Sequence, residues 1–263
     1  MTSSRFMMIC ALTLGACTDK SDDTALTDDT SVTTDDTSTD DTSTDDTSTD
    51  DTGETTHTLD LELLEVLSSA PLSGATAVYG DQSVTADSDG VASIELEDDA
   101  PFEVVFSLDG HLETRFQGYV MGQGESTGAY MLSEQTEAAL GAALGITPDR
   151  TKGYVHVRLL DTREQRYESL RGVTGNISST YQVVLAAAPG GAGVAPGNTT
   201  STDENIRASL YFVNVDPGPF TVNLTGLPEG IAGCTWGTGG EALTGWQPTV
   251  HAGVWNEVQV HCE

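Results

Sequence analysis

"VASIELEDDAPFEVVFSLDG", Val91 to Gly110, alternates twice in succession. Ala92, Ile94 and Leu96 fall on one face of the first run. Phe102, Val104, Phe106 and Leu108 fall on one face of the second, which stops at Asp109-Gly110. A period of two between Gly and Asp turns is the pattern of half-buried strands in a sandwich or barrel. Upstream, "LDLELLEV" sets Leu59, Leu61 and Leu63 against Asp60 and Glu62, and downstream "GAYML" supplies Tyr130 and Leu132. Strand-like runs thus recur at about ten-residue spacing, as in all-β folds.

One segment breaks this rhythm. "SEQTEAALGAALGI" opens on a capping residue, Ser133, carries acids at Glu134 and Glu137 in its first turn, and ends before Pro148. These are the signals of a short helix, here a connector. Strands resume at Gly153. "GYVHVRLLD" alternates Val155, Val157 and Leu159, and "YQVVLAAA" is a compact apolar run. "IRASLYFVNV" turns through "DPGP" into Phe220, Val222 and Leu224. Residues 189–205 read as a long loop from their Gly, Pro, Asn and Thr content. The last strand, "VWNEVQVHC", places Val254, Val258, Val260 and Cys262 on one side and Trp255, Glu257, Gln259 and His261 on the other.

In the first half, Gly74-Ala75 before a valine strand, the acidic turn Asp87 to Gly90, and the alternating strand Phe102 to Gly110 together resemble the carboxypeptidase regulatory-like domain. That resemblance implies a transthyretin-like β-sandwich, of the kind grouped with starch-binding-like modules. "YFVNVDPGPFTVNL" resembles the same superfamily more loosely, and the 189–205 loop and a disulfide depart from it. The resemblance implies a fold and carries no catalytic residues. The expected architecture is all-β: two tandem β-sandwich domains, 58–133 and 153–263, joined by a helical connector at 134–152.

Outward from the sandwich, Thr18 to Thr56 holds fourteen carboxylates against Lys20 alone, settling into a repeated Asp-Asp-Thr-Ser-Thr. Such a chain has almost nothing to bury against its ordering entropy. The reading is a disordered stalk, 17–57, averaging roughly 35 Å end to end if it behaves as a flexible coil. Calcium capture by the paired aspartates and O-linked sugars on the Thr/Ser are the alternatives; no glycine punctuates the repeat to turn it around an ion.

Before the stalk, Arg5, the apolar run "FMMICALTL" and Gly15-Ala16 lead to Cys17. A cationic start, a short apolar core and small residues mark a signal peptide, 1–16. Leu14-Gly15-Ala16-Cys17 resembles the lipobox of bacterial lipoproteins, which implies that Cys17 takes a diacylglycerol. Residues Asp19 to Asp23 resemble acidic signals that send lipoproteins to the outer face. The expected location is the outer membrane, facing outward.

The net charge of −31 and pI near 4.1 exclude nucleic acid as a partner, since phosphate contacts need a cationic face. With Cys10 in the leader and Cys17 lipidated, Cys234 and Cys262 remain. In an exported protein their default is a disulfide.

No enzyme motif fits. Gly124-Glu125-Ser126-Thr127-Gly128 matches the nucleophile-elbow spelling, but a strand follows where the elbow needs a helix. The histidines, His57, His111, His156, His251 and His261, show no ligand spacing and read as solvated. "DSDG" at 87–90 reads as a β-turn, with a weak calcium site among Glu95, Glu97, Asp98 and Asp99 left open. No cofactor or metal is expected. Trp236, Trp246 and Trp255 are the candidate ligand-stacking residues, since exposed indoles stack on sugar faces; capping of the core is the alternative.

The functional expectation is an envelope protein anchored by lipid, displaying interaction modules for carbohydrate or protein. Its alternatives are a passive spacer without a ligand and, last, a hydrolase using Ser126.

Overall fold

The alternating runs form the strands they foretell, and the last of them changes how the halves connect. The computed structural model describes residues 56–97, 100–119, 126–161, 170–188, 193–203, 206–236 and 246–263. The first half contributes β1 (Thr56–Glu65), β2 (Thr76–Tyr79), β3 (Gln82–Thr85), β4 (Val91–Glu97), β5 (Pro101–Ser107), β6 (Thr114–Tyr119) and β7 (Ser126–Met131). The helix α1 spans Glu134–Leu144. The second half contributes β8 (Gly153–Asp161), β9 (Thr174–Ile177), β10 (Val183–Ala187), β11 (Val194–Pro196), β12 (Ser209–Val215), β13 (Gly218–Pro219) and β14 (Val222–Thr225). It ends with β15 (Cys234–Trp236), β16 (Thr249–Val250) and β17 (Trp255–Cys262).

Strands β4-β1-β7 make a small sheet. A ten-stranded sheet runs in the order β11-β10-β12-β8-β17-β6-β5-β2-β3, with β15 paired to β17. The halves therefore do not keep separate sheets. β17 lies between β8 of its own half and β6 of the first, parallel to both. The described residues all belong to one compact unit, Thr52–Glu263.

Registers show which side of the large sheet is covered where. Glu257 is level with Phe116 on β6 and with His156 on β8, so these side chains share a face. On that face, Val104, Phe106 and Phe116 meet Leu61, Leu63, Ile94 and Met131 of the small sheet in the first core. Val155, Val157, Phe212, Val258 and Val260 point to the opposite face and form a second core with Ile177, Val222 and Leu224 from the pair β9-β14. The fold is an all-β sandwich whose cover changes side halfway along. Where the covers overlap, every residue of β17 is buried.

Side-chain amides finish edges that no strand reaches. The Gln82 amide donates to Glu95 O (2.7 Å) and accepts from Glu95 N–H (3.0 Å), joining β3 to β4. Gln117 does the same for Thr249, at 2.8 and 2.7 Å. In the turn before β4, Asp87 Oδ1 accepts the N–H groups of Asp89 and Val91, each at 2.9 Å. Gly90 there has φ 80°, and a Cβ would lie 2.8 Å from Leu63 O, so glycine is required. The expected 189–205 loop contains a short edge strand, since Leu185 pairs with Pro196 and Ala187 with Val194. Pro196 ends that strand, where its missing donor costs no ladder bond.

Candidate functional site

The helix reads as its sequence does. Ser133 caps it, accepting the Thr136 N–H at 3.1 Å, and Gly145 ends it in the left-handed region at φ 68°. The chain then folds back so closely that Ile146 N–H donates to Gly141 O at 2.8 Å. A side chain at Gly141 would meet Ile146 O at 2.8 Å. Asn214, at φ 52°, pins this return: its amide donates to Thr147 O (2.9 Å) and accepts from Asp149 N–H (3.0 Å). Asparagine is one of the few residues that tolerate that conformation.

Held this way, α1 stands over the large sheet and leaves an apolar groove partly open to solvent. Leu140 and Leu144 of the helix and Ile146 and Pro148 of the return form one wall. Val66, Leu67 and Leu132 form another. Leu185, Val194 and Val213 with Tyr154, Tyr211 and Trp255 form the floor. The rings are grouped, with Tyr154 and Tyr211 centroids each 6.0 Å from Trp255.

The one carboxylate in the groove, Glu137, is spoken for. It accepts from the Tyr154 hydroxyl at 2.6 Å and from Arg150 at 2.5 Å. Burial, and then the Glu137 hydrogen bond, push the Tyr154 phenol well above the usual range. Burial pushes Tyr211 up to about 12. Both therefore remain neutral donors. The indole N–H of Trp255 is buried without a partner.

Next to the groove, on the same face, lies a buried charged layer. Arg158 Nε is 2.7 Å from Glu257 Oε1, at 1% and 0% side-chain exposure, and Arg158 also donates to Gln259 at 3.2 Å. The other Glu257 oxygen accepts the Tyr130 N–H at 2.6 Å. β7 is an edge strand of the small sheet, so this carboxylate occupies a position that a neighbouring strand would otherwise fill. His156 stacks on Tyr211 with centroids 4.4 Å apart. Burial lowers the His156 pKa more than nearby Glu257 raises it, so the 3.8 Å His156–Glu257 approach involves a neutral ring. Burial, then the Arg158 charge, bring His261 down to about 4.

Several expectations need correcting here. Trp255 is 3% exposed and offers no free face for stacking, because β17 is covered on both sides. His156 and His261 are buried as well, where solvated imidazoles were expected. Trp246 is half-buried. Trp236 is level with Val260, and its side chain lies outside the described residues, as does Cys17. Cys234 and Cys262 face each other across β15 and β17 and form the disulfide. Ser126 is the first residue of β7, so strand and not helix follows it directly. Sequence reasoning missed Glu137, Tyr154, Arg158 and Tyr211. Tyr154 and Arg158 were legible as the off-phase residues of β8, had that face been read as covered.

No protein-family model and no curated protein matches the chain. Solved structures do match over most of its length. The Bacillus anthracis TIE protein aligns at 15% identity over 78% of this chain and 34% of that one, with a TM-score of 0.24. The minor pilin GBS52 of Streptococcus agalactiae aligns at 12% identity, over 78% and 95%, with a TM-score of 0.26. The shaft pilin SpaA of Lactobacillus rhamnosus GG aligns at 10% identity, over 80% and 98%, with a TM-score of 0.22. This chain spans only about a third of the matched TIE chain. At such TM-scores no functional conclusion follows from the likeness.

Proposed function

We propose that this is a lipid-anchored protein of the bacterial outer membrane whose β-sandwich unit is a binding module rather than an enzyme. Residues 1–16 are its signal peptide, Cys17 its lipid attachment point and 17–57 an acidic stalk that holds residues 58–263 away from the membrane. Residues 58–133 and 153–263 are the two halves of that unit, linked by 134–152 and sharing the large sheet. The observation that carries the binding reading is the groove beneath α1. It is concave, largely apolar and floored by three aromatic rings, attributes shared by small-molecule sites in general. With Trp255 buried, the groove replaces the tryptophan faces as the place where a ligand sits.

Two measurements test this. Cys17→Ser should move the protein from the membrane to the soluble fraction; retention after a high-salt wash contradicts the anchor. N-phenylnaphthylamine, a neutral apolar dye, should brighten on binding the parent and not the variant Leu140→Trp, whose indole fills the groove. A dye response unaffected by that substitution places binding elsewhere and removes the groove from the account.

A further inference from the structure

Resting on the reading of the groove as a binding site, we propose that its ligand is the hydrocarbon chain of a neutral amphiphile. Four observations point the same way. The helical wall and the strands opposite present Leu140, Leu144, Leu185 and Val213, flexible aliphatic groups that conform to a chain. Leu67, at the rim, is 46% exposed, and with Val78 it is one of two large apolar side chains left exposed among the described residues. A ligand tail crossing the rim would cover it.

The polar inventory disfavours a sugar. Glu137 already accepts from Tyr154 and Arg150. A hydroxyl-rich ligand would give up its water there and find few groups to replace it, which is costly for every unpaired hydroxyl. Charge disfavours an anionic head group, because Arg150, the guanidinium bonded to the groove wall, is already held by Glu137, on a chain of net charge −31.

The test uses the full chain carrying Cys17→Ser, which keeps the preparation free of detergent. The probes are monoacylglycerols of eight, ten and twelve carbons below their aggregation concentrations, decanoate, and maltoheptaose, titrated by calorimetry. Affinity should rise about fourfold per methylene until the groove is full. Decanoate should bind at least tenfold more weakly than the ten-carbon monoacylglycerol. Leu140→Trp should abolish monoacylglycerol binding. Leu67→Asp, at an exposed position that the fold tolerates, should weaken it at least tenfold. Affinity independent of chain length, or decanoate binding as tightly as its glycerol ester, overturns the hydrocarbon proposal. So does maltoheptaose binding that Leu140→Trp abolishes, while leaving the groove a binding site. Dye binding in the groove together with silence from every monoacylglycerol also overturns the ligand class alone. Silence of dye and probes alike removes both readings.

Discussion

β1 and β17 are both alternating strands, and the molecule treats them differently. On β1, Leu59, Leu61 and Leu63 point into the first core while Glu62 and Asp60 remain exposed. On β17 the valines point into the second core, and the polar residues opposite are buried too. Alternation therefore reports the chemistry of a strand's two faces and not what covers them. A polar face tolerates burial where adjacent strands bring complementary groups level. Here Arg158 on β8 and Glu257 on β17 meet on one face of the large sheet, with Tyr130 N–H and Gln259 completing their contacts.

The sharpest way to break this comparison is to unpair that layer. Arg158→Ala leaves Glu257 as a buried, uncompensated carboxylate and should cost about 3–5 kcal/mol in urea unfolding. Replacing both partners by Arg158→Met and Glu257→Leu should recover most of that loss. A cost under about 1 kcal/mol for the single variant would mean that the face is wet after all, as exposed pairs are worth no more than this. The next largest effect tests what fastens the end of β17. Removing the disulfide through Cys234→Ser and Cys262→Ser should lower stability by about 3–4 kcal/mol, given the 28-residue separation. An unchanged melting temperature would show that the strand pairing holds without it.

A pH titration follows. His261 sits near 4 when folded, against an ordinary value of 6.5. The unfolded chain therefore binds the proton first, and the stabilising effect of the neutral ring is present above pH 6.5 and fades as pH falls toward 4. Between pH 7 and 5 the loss should be about 2 kcal/mol, and His261→Gln should flatten the curve. A slope unaltered by that substitution would place the ring in solvent. Smallest of all, Glu62→Gln on the exposed face of β1 should stay within about 0.5 kcal/mol, in contrast to the same change at Glu257.

How much of this the sequence discloses follows from the same contrast. Leu59 to Leu63, Ala92 to Leu96 and Phe102 to Phe106 gave both strand and burial correctly, because the opposite face of each carries mostly polar residues and stays at least partly in water. Ser133 and Gly145 mark the helix by local hydrogen-bonding and backbone rules that need no tertiary context. The disulfide followed from cysteine arithmetic. What the residues do not disclose is long-range. Nothing within "VWNEVQVHC" says that it pairs with β6 as well as β8, or that β7 covers it, so Trp255 read as a surface ring. The groove was hidden for the same reason. Its walls come from the helix, the residues after β1, and five strands of the large sheet's second half, each apolar for what looked like ordinary core duty.

The placement of β17 is the claim on which the rest depends, and amide hydrogen exchange tests it most directly. With β8 along one side, and β6 then β15 along the other, the amides of Trp255 to Val260 should exchange only through global opening, as slowly as those of Val155 and Val157 in β8. The edge strand β11, Val194–Pro196, should exchange far sooner. If the β17 amides exchange as fast as those of β11, the strand is not inserted between the halves. The shared sheet, the buried charged layer and the aromatic floor of the groove would then all be wrong together.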